Sequence, residues 1–248
     1  MLAIVSALAV ASAATAATPV EPDVSLVKAV HTTDGVSSLR YVMTISIARR
    51  DGPTVRLRVR GTRSRTSLAI HVQESSTDAA GVVSAPGPHQ SAIIDGPFLY
   101  EGAPDGLAID GAIRWLRVPV ARIGQKAPAL SNVRSLSPAP LLRVLDEWTH
   151  ARARSADGWF RGSVAYDDPI VLAALSGMTG GVEFRNVRFS AHADTAGYLH
   201  TIRVTGRTPD GRRDLTVDAR LYAFGWPVRV VVPAEGTFMD VKLLGLAE

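Results

Sequence analysis

The stretch SLRYVMTISIARRDGPTVRLRVRG, residues 38–61, alternates apolar and polar side chains on both sides of a turn signal. Leu39, Tyr41, Met43, Ile45 and Ile47 interleave with Arg40, Thr44 and Ser46, and Val55, Leu57 and Val59 interleave with Arg56, Arg58 and Arg60. Successive side chains on a strand point to opposite faces, so each run reads as a strand with one apolar and one polar face. Asp51-Gly52 between them is a hairpin turn signal. The same alternation returns at Leu68, Ile70 and Val72, at Ile202 and Val204, and at Leu215, Val217, Ala219 and Leu221. It predicts an antiparallel sheet with one greasy face and one wet, arginine-rich face. The greasy face needs a cover of helices or a ligand, and which of the two it has is the functional question.

Working outward, 22–33 reads as a short helix with Val24, Val27 and Val30 at helical spacing, stopped by Asp34-Gly35. Residues 38–48, 54–61 and 67–73 are the first three strands, and 78–88 is a Gly/Pro/Ser-rich loop. Two short strands fill 90–100 around Asp95-Gly96, and 112–118 is another strand, holding Trp115. Ser137-Pro138 starts a helix, because serine caps free amides and proline fits the first helical position. Leu141, Leu142, Leu145 and Trp148 form its apolar stripe. A strand at 159–166 follows, then a short helix at 170–176 that Gly177 and Gly180-Gly181 end. Strands at 182–193, 198–206 and 214–224 and an extended piece at 227–233 close the chain. Helices grouped apart from a mostly antiparallel sheet give the class α+β.

With 248 residues, 46% of them hydrophobic, the chain can build one sizeable core without staples. It has no cysteine, which excludes disulfides, thiol catalysis, cysteine metal sites and a lipid anchor on cysteine within this chain. Lysine occurs only at Lys28, Lys126 and Lys242, so arginine makes up the rest of the 27 basic residues. The formal charge is +4 and the pI about 9.7. The arginines are spread over many strands, as a solvated sheet face requires. Residues 1–17 carry an apolar run, Leu2 to Val10, followed by Ala11-Ser12-Ala13 and Thr15-Ala16-Ala17. They read as a secretory signal peptide, though no Lys or Arg precedes Leu2, with one domain at 18–248 and a place in the cell envelope, the periplasmic space or the medium. No later segment offers the ~20 apolar residues of a spanning helix.

The chemistry-bearing residues are sparse. His31, His71, His89, His150, His192 and His200 show no i, i+4 metal spacing, although His192 and His200 flank one hairpin. Asp167-Asp168 is the only adjacent acidic pair, and Asp168 before Pro169 reads as a helix cap. No G-x-S-x-G elbow, P-loop or dinucleotide fingerprint occurs. Trp115, Trp148, Trp159 and Trp226 interleave with arginine, which on other proteins stacks on bases. The helical stripe instead assigns Trp148 to a core, and export argues against a nucleic-acid partner. No catalytic residue, metal or cofactor is expected, and the chain reads as a non-enzyme.

Five stretches then carry a resemblance. They are the N-terminal helix with the long strands after it; Ile93-Ile94-Asp95-Gly96 with Phe98 to Tyr100 and Trp115; the leucine-rich helix 137–148; Asp194-Thr195-Ala196-Gly197-Tyr198-Leu199; and Phe224-Gly225-Trp226-Pro227-Val228 leading to Val232-Pro233. In this order they resemble the LolA-like envelope lipid carriers, most closely the actinobacterial LppX/LprG type. The resemblance implies a curved, half-open antiparallel sheet, a half-barrel, with helices covering its concave face and lipid or lipoglycan held non-covalently between them. The chain departs from the lipoprotein branch in lacking its lipidated cysteine.

The expected lipid-binding wall is Tyr41, Met43, Ile45, Leu57, Val59, Leu68 and Ile70, faced by Leu141, Leu145 and Trp148. Expected partners are the lipid ligand, an anionic membrane surface in transient contact, and an envelope protein. Three other readings stay open: a sensor whose apolar face docks a protein segment, a closed core without ligand, and a secreted hydrolase using Asp167, Asp168 and two histidines.

Overall fold

The computed structural model describes residues 24–87, 89–103, 112–122, 133–147, 149–152, 157–164, 175, 177–179 and 181–240. Its helices are α1 (Val24–Asp34) and α2 (Ala139–Glu147). Its strands are β1 (Ser38–Arg49), β2 (Thr54–Ser64), β3 (Ser67–Thr77), β4 (Gln90–Asp95), β5 (Phe98–Gly102), β6 (Trp115–Pro119), β7 (Thr149–Arg152), β8 (Trp159–Val164), β9 (Arg185–Ala193), β10 (Leu199–Arg207), β11 (Arg213–Tyr222) and β12 (Phe238–Asp240). Among the described residues they form one 12-stranded sheet in the order β12-β6-β5-β4-β3-β2-β1-β11-β10-β9-β8-β7. The end strands β12 and β7 do not pair with each other, so the sheet is a curved, unclosed half-barrel of the α+β class.

Two meanders meet at its centre. β1 pairs antiparallel with β2 on one side and β11 on the other, so Met43 lies between Val59 and Ala219, and Ile45 between Leu57 and Val217. Every neighbouring pair is antiparallel except β12, which runs parallel to β6. Arg117 fastens that edge. It holds Asp240 through Nε at 2.6 Å and Nη2 at 2.8 Å, and its guanidinium lies over the rings of Phe98 and Phe238.

The alternation sorts the faces as expected. Leu39, Tyr41, Met43, Ile45 and Val59 are buried, while Arg40, Arg56, Arg58 and Arg60 are exposed. A one-residue slip would have reversed every one of them. On the inner face α1 and α2 pack into the same cluster as the strand residues, with Leu26 and Val30 from α1 and Leu141, Leu142 and Leu145 from α2. Each such side chain contributes roughly 1.5–3 kcal/mol when fully buried. Buried Thr33 ties α1 to the sheet. Its hydroxyl donates to the carbonyl of Ala29 at 2.7 Å and accepts the Leu199 N–H at 2.8 Å. Arg63 reaches the end of α1, donating to the Asp34 carboxylate at 2.6 Å and to the Asp34 carbonyl at 2.9 Å.

Several expectations are corrected. The buried stripe of α1 runs through Leu26, Ala29, Val30 and Thr33, and Val27 is only half-buried, because a stripe needs i, i+3, i+4 and i+7 and not a strict three. Gly177 does not end its helix: 177–179 are helical, and the stop comes at Gly181, whose φ is +88°. Ser137 turns its hydroxyl back to the Arg134 carbonyl at 2.8 Å. Strands β7 and β12 were not expected, since three or four residues are too few to show alternation. The segment 1–17, Asp167, Asp168 and Trp148 lie outside the described residues.

Candidate functional site: an apolar cavity on the inner sheet face

Among the described residues the helices cover only part of the inner face. Along β1 burial is complete from Leu39 to Ile45 and then lapses, leaving Ile47 half-buried. Across the sheet from it Val55 and Leu57 on β2 and Val72 on β3 are also half-buried. These residues point inward with nothing packed fully over them, and they wall a cavity of about 380 Å³. Ile45, Ile70 and Ala92 continue the sheet wall, and Val133, Leu136 and Met178 form the opposite side. Burial of apolar carbon against water is the main source of binding energy such a lining can supply.

Two struts hold the cavity open. The first is Tyr41, whose ring lies over Gly61, its register partner on β2. A Cβ at Gly61 would overlap that ring, so glycine is required by the close approach and the aromatic covers it in return. The Tyr41 hydroxyl donates to the Leu136 carbonyl at 3.1 Å, which fixes one wall residue relative to the sheet. Burial pushes the Tyr41 phenol well above its usual range, with the charge of Arg63 acting the other way. The second strut is the 78–87 loop, anchored to β3 by Gly87 N–H to Glu74 O at 2.8 Å and Ser84 N–H to Ser76 O at 2.8 Å. Beneath this loop a more polar depression of about 330 Å³, with Ser75, Ser76 and Ser84 in its lining, shares Leu57, Val72, Glu74 and Gln90 with the first. The apolar cavity therefore leads into a polar vestibule.

Glu74 and Glu101 are the charged residues of the cavity lining, and no Lys, Arg or His joins them among the described residues. Register fixes their depth. Glu101 lies in the row of Ala92, Ile70 and Gly61, deep in the site, and Glu74 lies opposite Leu57 at the rim. Burial raises the Glu101 carboxyl above the ordinary carboxylate range.

Of the ten residues expected to line a lipid site, Ile45, Leu57 and Ile70 line this cavity. Tyr41, Met43, Val59, Leu68, Leu141 and Leu145 do not line it and are buried in the packed cluster that also takes in Leu26 and Val30 of α1. Trp148 lies outside the described residues. Sequence reasoning missed Glu74, Gln90 and Glu101, although Glu101 directly follows the Phe98–Tyr100 strand run on the inward phase. Val133 and Leu136 sit in a stretch without periodicity and gave no signal.

The histidine pair does not form a site. His200 Nε2 meets Asp194 at 2.8 Å, and His192 packs its ring on Trp159. At Asp194 burial works to raise the carboxyl, but the hydrogen bonds from His200 and the Tyr198 N–H outweigh it and hold the group below its usual range. Among the described residues no group of three His, Asp or Glu could hold a metal ion. No described helix is long and apolar enough to cross a membrane.

No protein-family model matches the chain, and no curated protein matches it. Solved structures that resemble it at low identity include two bacterial proteins. A LolA superfamily protein from Nitrosomonas europaea shares 11% identity over 84% of this chain and 93% of its own, with a TM-score of 0.28. A DUF1329 family protein from Desulfovibrio piger shares 11% identity over 85% of this chain and 95% of its own, with a TM-score of 0.31.

Proposed function

We propose that the protein is a non-enzymatic carrier in the manner of the LolA-like family, taking the acyl chain of a lipid into the inner-face cavity. The observation that supports this most is the lapse in burial itself: half-buried Ile47, Val55, Leu57 and Val72 converge on a space of about 380 Å³ beside a fully packed core. That volume falls within the ~300–1,000 Å³ of small-molecule sites. Each methylene taken from water adds about 0.8 kcal/mol, so one chain binds well without any polar contact. The polar vestibule suits a head group, and a lipoglycan head would extend beyond it. Because Glu74 and Glu101 have no cation beside them among the described residues of the lining, the site favours neutral or cationic heads over a free carboxylate. The signal-like segment and the motif order support an exported protein of the LppX/LprG type.

The test is native mass spectrometry of the purified full chain, with organic extraction of what co-purifies. A lipid adduct of defined mass, removable by extraction and restored by adding it back, is the expected result. A stable complex with another protein and no lipid would point to a sensor. Neither adduct nor uptake of any added amphiphile would overturn the carrier reading.

A further inference from the structure

The opposite face of the sheet carries a pattern that the cavity does not explain. Register sets Arg58, Thr44, Asp218, Arg203, Ser190 and Arg161 in one row across six adjacent strands. The row on one side holds Arg60 and Arg220 and ends at Trp159, and the row on the other side holds Arg56 and Arg188. All of these arginines are exposed. Asp218 is the one acidic side chain in the three rows, and it pairs with Arg203 at 3.5 Å. Arg161 lies over the Trp159 ring at 5.8 Å. Arg56, Arg58, Arg60, Arg188 and Arg220 have no ion pair among the described residues. Short hydroxyl side chains, Thr44, Ser46, Ser190 and Thr201, floor a depression of about 1100 Å³, with arginines at both rims.

Like charges gathered this way repel one another, so the array raises the energy of the free protein until an anion meets it. Its shape says which kind of anion. Five strand-to-strand steps make it ~24 Å wide, and three alternate rows extend it ~14 Å along the strands. A linear polymer would meet one row at a time, whereas a field of charge spread in two dimensions meets them all. The next row begins with Arg40 beside Tyr222, and past the end of β11 stands Trp226. Their exposures of 44% for Tyr222 and 70% for Trp226 are unusual for such large rings. Aromatic side chains with polar tips are the residues that settle at a membrane–water interface.

We propose that this arginine face docks on an anionic lipid bilayer, with lipid phosphates entering the depression and Tyr222 and Trp226 resting among the head groups. Arginine suits the role because its planar fork takes phosphate bidentately. β2 then serves both sites from alternate residues: Arg56 and Arg58 meet the membrane while Val55 and Leu57 wall the cavity on the other face. Docking does not require a loaded cavity.

The test is flotation of the full chain with phosphatidylcholine vesicles, with and without phosphatidylglycerol. Binding is expected only with phosphatidylglycerol and is expected to weaken as salt rises. Each arginine near such a surface multiplies affinity about fivefold, so R58T/R220T should weaken binding about 25-fold. R56T/R161T should do the same, which guards against one pair failing to fold. R134T/R212T, with the same charge lost elsewhere, should change it little. Equal binding to both vesicle types, or equal losses in all three double variants, would overturn the proposal. So would indifference to vesicles combined with salt-dependent binding of inorganic polyphosphate or single-stranded DNA, which would make the face a polymer site.

Discussion

Replacing Gly61 by alanine tests the strut that separates core from cavity. The added Cβ would overlap the Tyr41 ring, and the ring cannot retreat into the sheet beneath it. It must swing toward the cavity, breaking its hydrogen bond to the Leu136 carbonyl. Overpacking of this kind costs about 1–3 kcal/mol. The lost hydrogen bond adds about 1 kcal/mol. Alanine regains ~0.5–1 kcal/mol over glycine in a strand. The net expectation is a loss of about 2 kcal/mol, a fall in Tm of roughly 4–8 °C for a chain of this size. Thermal unfolding followed by circular dichroism measures it. The decisive version is a double-mutant cycle with Tyr41→Leu, whose shorter side chain leaves room for the methyl group. In that background G61A should be neutral or stabilising, giving a coupling of about 1.5 kcal/mol or more. Additivity of the two changes within ~0.5 kcal/mol would refute the contact as the cause.

Ile45→Arg and Leu57→Arg should part company: Ile45 is 1% exposed within the packed cluster, so its replacement should cost on the order of 4 kcal/mol and unfold the domain. Half-buried Leu57 lets an arginine head reach the vestibule, so L57R should keep its circular dichroism spectrum and lose lipid uptake. Glu101→Gln should stabilise the protein at neutral pH and not in acid. Burial raises the folded-state carboxyl, so its contribution is fully present below the ordinary carboxylate pKa and is lost as pH rises through the raised value. Chemical denaturation at two pH values checks the sign, and an equal gain at both would contradict it. Thr33→Val should cost about 1–3 kcal/mol by leaving the buried Leu199 N–H without an acceptor, read from the denaturation midpoint.

What the sequence made legible follows period and length. Period two at 38–61 identified β1 and β2, their inward phase and their turn, because a two-residue repeat leaves no choice of face. The helix of Leu141 and Leu145 was legible for the same reason at period 3.6. The pairing of β1 with β11 was not, since the two lie far apart in the chain and alternation says which face a residue takes, not which strand it meets. The site was half legible. Ile45, Leu57 and Ile70 belong to it, but nothing local distinguishes them from Met43 and Val59, which are fully buried in the packed cluster. That distinction depends on what packs over each stretch of the sheet, a tertiary fact. Glu101 escaped notice because a lone charge at a strand end usually points to water.

A closed core and a cavity do not exclude one another. One inner face holds both, and the boundary runs diagonally across β1, β2 and β3. On β1 the face is sealed at Leu39, Tyr41 and Met43, which supply stability. The rows through Ile45 and Ile47 open toward Leu57 and Val55 and would collapse if the wall at 133–136 could move inward. Tyr41 prevents that from the core side by holding Leu136, and the backbone bond from Gly87 to Glu74 holds the loop from the rim. A half-buried valine or leucine forgoes roughly half of the ~1.5–3 kcal/mol its full burial would return. The four at the cavity, Ile47, Val55, Leu57 and Val72, thus leave several kcal/mol of burial unrealised, and under the proposed function that is the free energy an acyl chain would recover on entering.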